Sequence, residues 1–178
     1  LASGGDDDDT VEGDAGNDTL FGGEGMDEVS GGEGDDEVNG NDGNDTLNGG
    51  EGQDTLKGGG HGDRLNGNDG DDDLNGGMGN DILSGGDGKD LLEGENGNDR
   101  LFGNADDDTL DGGDGNDRLN GGGGDDSILG GDGNDRFFIT LGADTIVGGA
   151  GNDLFDMRAN SGTGNVITDF TIGEDMLD

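Results

Sequence analysis

Aspartate recurs at every ninth residue of this 178-residue chain: Asp9, Asp18, Asp27, Asp36, Asp45, Asp54, Asp63, Asp72, Asp81, Asp90, Asp99, Asp108, Asp117, Asp126, Asp135, Asp144 and Asp153. Two residues after each stands one apolar side chain, Val, Leu, Ile or Phe, from Val11 to Phe155. Seventeen nonapeptides therefore run from Gly4 to Asp156 without insertion or deletion, as in GGEGMDEVS (Gly22 to Ser30) and GGDGNDRLN (Gly112 to Asn120). Glycine holds the first position in 16 of them and the fourth in 14. Carboxylates at a fixed offset from glycine turns offer hard oxygen donors, namely the acid itself and the main-chain carbonyls that glycine lets converge. With no cysteine and a single histidine, His61, zinc lacks its preferred ligands. Six or so flexible oxygen donors suit calcium better than magnesium, which demands a tight octahedron and keeps its waters.

The elements that would position these donors follow from the same nine residues. Six of them, G-G-x-G-x-D, read as a turn, and the last three, x-U-x, as a short strand whose eighth-position side chain points one way while its neighbours point the other. Two units make one 18-residue coil, and stacked coils give two parallel sheets around a narrow core: an all-β, right-handed parallel β-roll, or β-helix solenoid. About eight and a half coils, at roughly 4.8 Å each, predict a rod on the order of 40 Å long. Sixth-position carboxylates would stack one strand spacing apart and repel, unless a divalent cation sits between each pair. Counting the intervals on both sides of the rod gives up to about 15 calcium ions. An unfolded chain has no preformed site, so binding free energy becomes folding free energy, and the metal-free chain is expected to be nearly unfolded.

Composition alone points elsewhere. The chain has 46 acidic and 7 basic residues, a formal charge of −39, 24% apolar residues and 47 glycines, which is the profile of a disordered segment. The fixed period overrides that reading, because low-complexity polymers lack one. Nucleic acid is excluded as a partner by sign. No apolar run approaches the roughly 20 residues needed for a helical membrane span. The opening LASGGDDDD lacks the basic and apolar regions of a secretory signal, so any export is expected to use another one.

The nonapeptide G-G-x-G-x-D-x-U-x resembles the repeats-in-toxin (RTX) calcium-binding β-roll of type I-secreted bacterial proteins. The resemblance covers 153 of 178 residues, with aspartate in place in every unit. Residues 162 to 178, GTGNVITDFTIGEDMLD, are similar to the segment that follows the last repeats in such proteins. This divides the chain into a roll at 4–156 and a capping segment at 157–178, and suggests a piece cut from a longer protein. The expected cover is apolar: Val166, Ile167, Phe170, Ile172, Met176 and Leu177. The resemblance implies the sixth-position aspartates as side-chain ligands. It implies carbonyls at positions two and four as backbone donors, namely Gly23, Gly25, Gly32, Gly34, Gly50, Gly52, Gly77, Gly79, Gly86, Gly88, Gly113, Gly115, Gly122, Gly124, Gly131 and Gly133. It further implies a non-catalytic module, secreted from a Gram-negative bacterium, unfolded in the low-calcium cytoplasm and folded outside. Related modules also occur in adhesins and beside secreted protease, lipase or epimerase domains, which leaves a binding module or an enzyme's accessory domain as alternatives.

Departures from the repeat mark expected weak sites: Asp7, His61 and Asp106 stand where the fourth-position glycine belongs, and Ile139 where the first does. A catalytic arrangement on His61 is not expected, since it would lie in an exposed turn without a pocket. The acidic runs Asp6 to Asp9 and Asp106 to Asp108 read as solvated turn residues. A threonine row (Thr19, Thr55, Thr109, Thr145) is interrupted by Glu37, Asp73 and Leu91, which argues against ice binding. Arg64, Arg100, Arg118 and Arg136 all occupy the seventh position of odd-numbered units, and Phe102 and Phe138 the ninth, so they share one outer face. Screening of neighbouring carboxylates is the expected role of these arginines. A docking stripe about 20 Å long for an acidic polysaccharide or a domain of the parent protein is the alternative.

Overall fold

The structure, a computed structural model, describes residues 1–157 and 162–178. Among these residues there is no helix, and 20 strands alternate between two ten-stranded parallel sheets. The first sheet starts at Ala2–Asp6 and Thr19–Glu24 and ends at Thr145–Ala150 and Val166–Ile167. The second starts at Thr10–Glu12 and Glu28–Glu33 and ends at Leu154–Met157 and Met176–Leu177. Within the repeats each residue pairs with the one 18 positions on, as in Leu92 with Leu110 and Leu101 with Leu119. Two nonapeptides therefore make one coil, and the parallel β-solenoid anticipated from the period is the fold. It has ten levels rather than eight and a half, because Ala2–Asp6 adds a strand in front and the two terminal strands add a level behind. Nine intervals of roughly 4.8 Å make a rod on the order of 45 Å long.

The strands are longer than the three residues read from sequence. Most span six, from position seven through position three of the next unit, for example Arg100–Ala105. The glycine pair that reads as turn in fact continues the ladder: Gly113 pairs with Gly131 while the first-position glycines drop out of register. Only positions four to six form the corner. Side-chain alternation then places positions six, eight and one on the inner face and seven and nine outside. In Arg100–Ala105 the inner Leu101 and Gly103 are buried, while Arg100 is exposed and Phe102 half-buried.

The core is a single file. One apolar side chain per repeat, from Val11 to Phe155, is buried, joined by Ile139, which takes an inward first position that glycine holds elsewhere. Leucine fills the middle, and phenylalanine closes the far end: Phe137 and Phe155 stack at 4.9 Å with an interplanar angle of 8°, and Phe170 tilts over Phe155 at 5.9 Å. Of the six residues expected to cover that end, only Ile167 and Phe170 pack against the core. Val166, Met176 and Leu177 are more than half exposed and Ile172 is 93% exposed. Alternation turns Val166 and Met176 outward, opposite Thr145 and Leu154. Of the segment 157–178, residues 158–161 lie outside the described residues.

Candidate metal centre

The sixth-position aspartate closes each corner with its side chain turned inward. All fifteen from Asp27 to Asp153 are at most 3% exposed, whereas Asp9 and Asp18, in the first coil, are half-buried. One carboxylate oxygen is committed to the fold. The Asp81 N–H donates to Asp99 Oδ1 at 2.7 Å and the Asp90 N–H to Asp108 Oδ1 at 2.9 Å, and the same link repeats along both edges at an offset of 18. The other oxygen, Oδ2, is buried without a hydrogen-bond partner in thirteen consecutive units, Asp27 through Asp135. A buried acceptor left unmatched is costly, and a carboxylate oxygen more so.

A main-chain oxygen of the next coil lies on the same side as this orphan. A Cβ built on Gly94 would lie 2.7 Å from Asp99 Oδ2 and 2.5 Å from the Gly112 carbonyl oxygen, so the bare first-position glycine leaves a cradle that any side chain would fill. The fourth-position carbonyls, such as those of Gly79 and Gly97, point towards the fourth-position glycine one coil on and accept no backbone hydrogen bond among the described residues. Second-position carbonyls are partly spent on the ladder: Gly122 accepts from the Leu141 N–H at 3.2 Å and Asp14 from the Glu33 N–H at 2.8 Å. All sixteen glycines anticipated as donors have positive φ, between 93 and 147°. Among the described residues no three acidic or histidine side chains converge as a metal cluster. An ionisable buried oxygen, nearby carbonyls and no soft donor together suit a hard divalent ion.

Burial pushes the metal-free carboxyls upward. It lifts Asp63, Asp72, Asp99, Asp108 and Asp135 to about 7 and Asp90 and Asp126 to about 6. The donated backbone N–H opposes this, and the charges of neighbouring aspartates generally add to the rise.

One corner glycine tests the geometry. Gly97 sits at φ 154°, and a Cβ there would overlap the Gly79 carbonyl oxygen. Gly97→Ala is therefore expected to cost about 2 kcal/mol or more. Gly123→Ala, whose Cβ would meet only the Asn104 oxygen at 4.0 Å, should stay within about 0.5 kcal/mol. Thermal midpoints in excess calcium compare the two.

At the departures, Asp7, His61 and Asp106 take φ of 79, 78 and 71°, whereas glycine at this position ranges from 104 to 154°. The left-handed region tolerates them only by re-aiming the corner carbonyl. His61 is exposed and borders a shallow, open surface depression with Asp8, Met26 and Asn44, whose lining holds no hydroxyl or thiol nucleophile.

Two features escape the nine-residue pattern. Asn165 and Asp175 continue the aspartate columns into the last level, accepting from the Asp144 and Asp153 N–H groups at 2.8 and 3.1 Å, but at offsets of 21 and 22. Fifth-position asparagines Asn80, Asn98, Asn116, Asn134 and Asn152 form an amide ladder along one edge, each Oδ1 of the first four accepting the next backbone and side-chain N–H at 2.8 to 3.0 Å. On the other edge that position holds Asp35, Asp71, Asp107 and Asp125, with Lys89 paired to Asp107 at 2.6 Å.

The family of RTX calcium-binding nonapeptide repeats, described in blocks of 4 copies, matches residues 3–38, 21–56, 57–92, 84–119, 111–138 and 138–156. No curated protein matches the chain. Members of this family are typically structural calcium-binding modules, and the repeats are typical of secreted Gram-negative proteins. The matched span coincides with the stacked 18-residue coils and the buried aspartate columns, and the chain belongs to the family of RTX calcium-binding nonapeptide repeats.

Proposed function

We infer that calcium drives this module to fold, and that it serves after secretion as a rigid element of a larger extracellular protein rather than as a catalyst. The supporting observation is the run of thirteen buried, unpartnered Oδ2 atoms in a chain of charge −39. Ionised carboxylates stacked in a thin core oppose folding unless cations lie among them. The sixth-position aspartates from Asp9 to Asp153, with corner carbonyls such as those of Gly79 and Gly97, would hold the ions, at up to about 15 positions. In the low-calcium cytoplasm the chain would stay extended for export, and it would fold outside, the terminal level at 162–178 covering the open end of the roll.

A calcium titration followed by far-ultraviolet circular dichroism and small-angle scattering tests this. At pH 8 and without calcium the expected state lacks strand signal and has a radius of gyration of about 45 Å, falling to about 16 Å in the loaded roll. Magnesium at the same concentration should leave the chain expanded. A chelated sample that keeps its strand signal and compact radius would overturn the reading.

A further inference from the structure

The bare glycine beside each inward carboxylate leaves a chemical liability on the outer faces. A Cβ at Gly40 would overlap Asp45 Oδ2 and one at Gly121 would overlap Asp126 Oδ2, so these first positions demand glycine. Asparagine at the ninth position is then followed by glycine, at Asn39, Asn48, Asn66, Asn75 and Asn120, and Asn96 before Gly97 makes a sixth such junction. Glycine has no side chain to shield its own nitrogen. That nitrogen can attack the preceding asparagine Cγ: the new C–N bond closes a succinimide ring, the bond to the amide nitrogen breaks, and ammonia leaves with the proton the glycine gives up. Water then opens the ring to aspartate or isoaspartate, and nothing is oxidised or reduced.

The fold forbids the first step. All six asparagines lie in strands, Asn66 in Arg64–Asp69 and Asn120 in Arg118–Gly123 among them. A pleated strand sends the side chain outward and carries the next nitrogen along the chain, away from it. The nitrogen is also engaged, as where the Gly97 N–H donates to the Asp114 carbonyl at 2.8 Å. Side-chain amides are tied down as well: Asn66 Nδ2 donates to Asn48 Oδ1 at 3.1 Å and Asn75 Nδ2 to Glu93 Oε2 at 3.0 Å.

We infer that these junctions are deamidation sites that folding closes, so that they register the time the chain spends unfolded. Isoaspartate bars return to the roll, because it leads the backbone through the former side chain and lengthens it by one carbon. Beyond that point the inner and outer faces and the 18-residue pairing fall out of step. The inference requires a folded and an unfolded state, but not that calcium is what separates them.

The test incubates the chain in mildly alkaline buffer with calcium, with a chelator, or with calcium and urea, and records the strand signal of each sample. Peptide masses and methylation by an isoaspartyl methyltransferase read the junctions. Conversion is expected wherever strand signal is lost, and about tenfold or more slower wherever it is kept. Asn98 and Asn116, each followed by an aspartate whose side chain shields the nitrogen, should stay intact over the same interval. Chain aged unfolded should fail to regain strand signal in calcium. A variant carrying Asn39→Ser, Asn48→Ser, Asn66→Ser, Asn75→Ser, Asn96→Ala and Asn120→Ser, aged alike, should regain that of its fresh sample, since Ser30, Ser84 and Ala105 occupy the same repeat positions. Equal conversion in folded and urea-treated samples would overturn the inference, as would no conversion in urea or refolding unimpaired by conversion. A chelated sample that keeps its strand signal would count against calcium-driven folding instead, and the urea comparison would still decide this point.

Discussion

Asp99→Ala is expected to cost the calcium-loaded roll about 3 kcal/mol or more, far beyond any replacement on the outer faces. The substitution strips the Asp81 N–H of its acceptor in a buried corner and removes the oxygen that faces the cradle at Gly94. An unmatched buried donor alone costs about 1–3 kcal/mol. Asp99→Asn separates the two losses: the amide oxygen can still accept from Asp81, so the metal-free chain should be little affected, while the calcium concentration at half-folding rises. Each coil touches only its neighbours, so the Ala variant should also split one cooperative transition into two. Calorimetry in excess calcium reads both effects. An unchanged midpoint in Asp99→Ala would show that the columns do not carry the fold.

Acid should act in opposite directions with and without calcium. The buried carboxyls of Asp63, Asp72, Asp99, Asp108 and Asp135 titrate near 7 in the metal-free roll, against about 3.9 in the unfolded chain. Between those values the folded form binds more protons, so folding is favoured progressively as pH falls from about 7 towards 4, and opposed above 7 where the buried groups must ionise. Without calcium, strand signal should therefore be greater at about pH 5 than at pH 8. With calcium, protons and ions compete for the same oxygens. The half-folding calcium concentration should rise by about tenfold or more between pH 8 and pH 5.5, with protons released on binding. A calcium midpoint that does not move over this interval would contradict the assignment of these carboxylates as ligands.

Much of the architecture is legible because the period is strict. An aspartate and an apolar residue two positions apart, repeated every nine, fix an inward face, an 18-residue coil and parallel pairing, as in Leu101 with Leu119. Strand length is not legible, because the glycine pair that continues the ladder has the composition of a turn. The partition of carbonyls is hidden for a related reason. Whether Gly122 spends its oxygen on the Leu141 N–H, while Gly97 spends none, depends on corner geometry that glycine leaves open. The terminal level is hidden because Asn165 and Asp175 leave the nine-residue frame and are recognisable only by the N–H groups they receive. Likewise the Arg136 pair with Asp156 spans 20 residues, just over one coil's worth of sequence, and no local pattern announces it.

The constant 18-residue offset makes the molecule a ruler with a handedness of phase. Removing two adjacent nonapeptides from the middle should shorten it by one graduation and leave every remaining side chain on its original side. Excising a single nonapeptide between Arg64 and Arg100 would instead advance everything downstream by half a revolution. Arg100, Arg118 and Arg136 would then emerge on the opposite flank from Arg64, so the spacing that builds the rod also dictates which insertions and deletions its surface can survive.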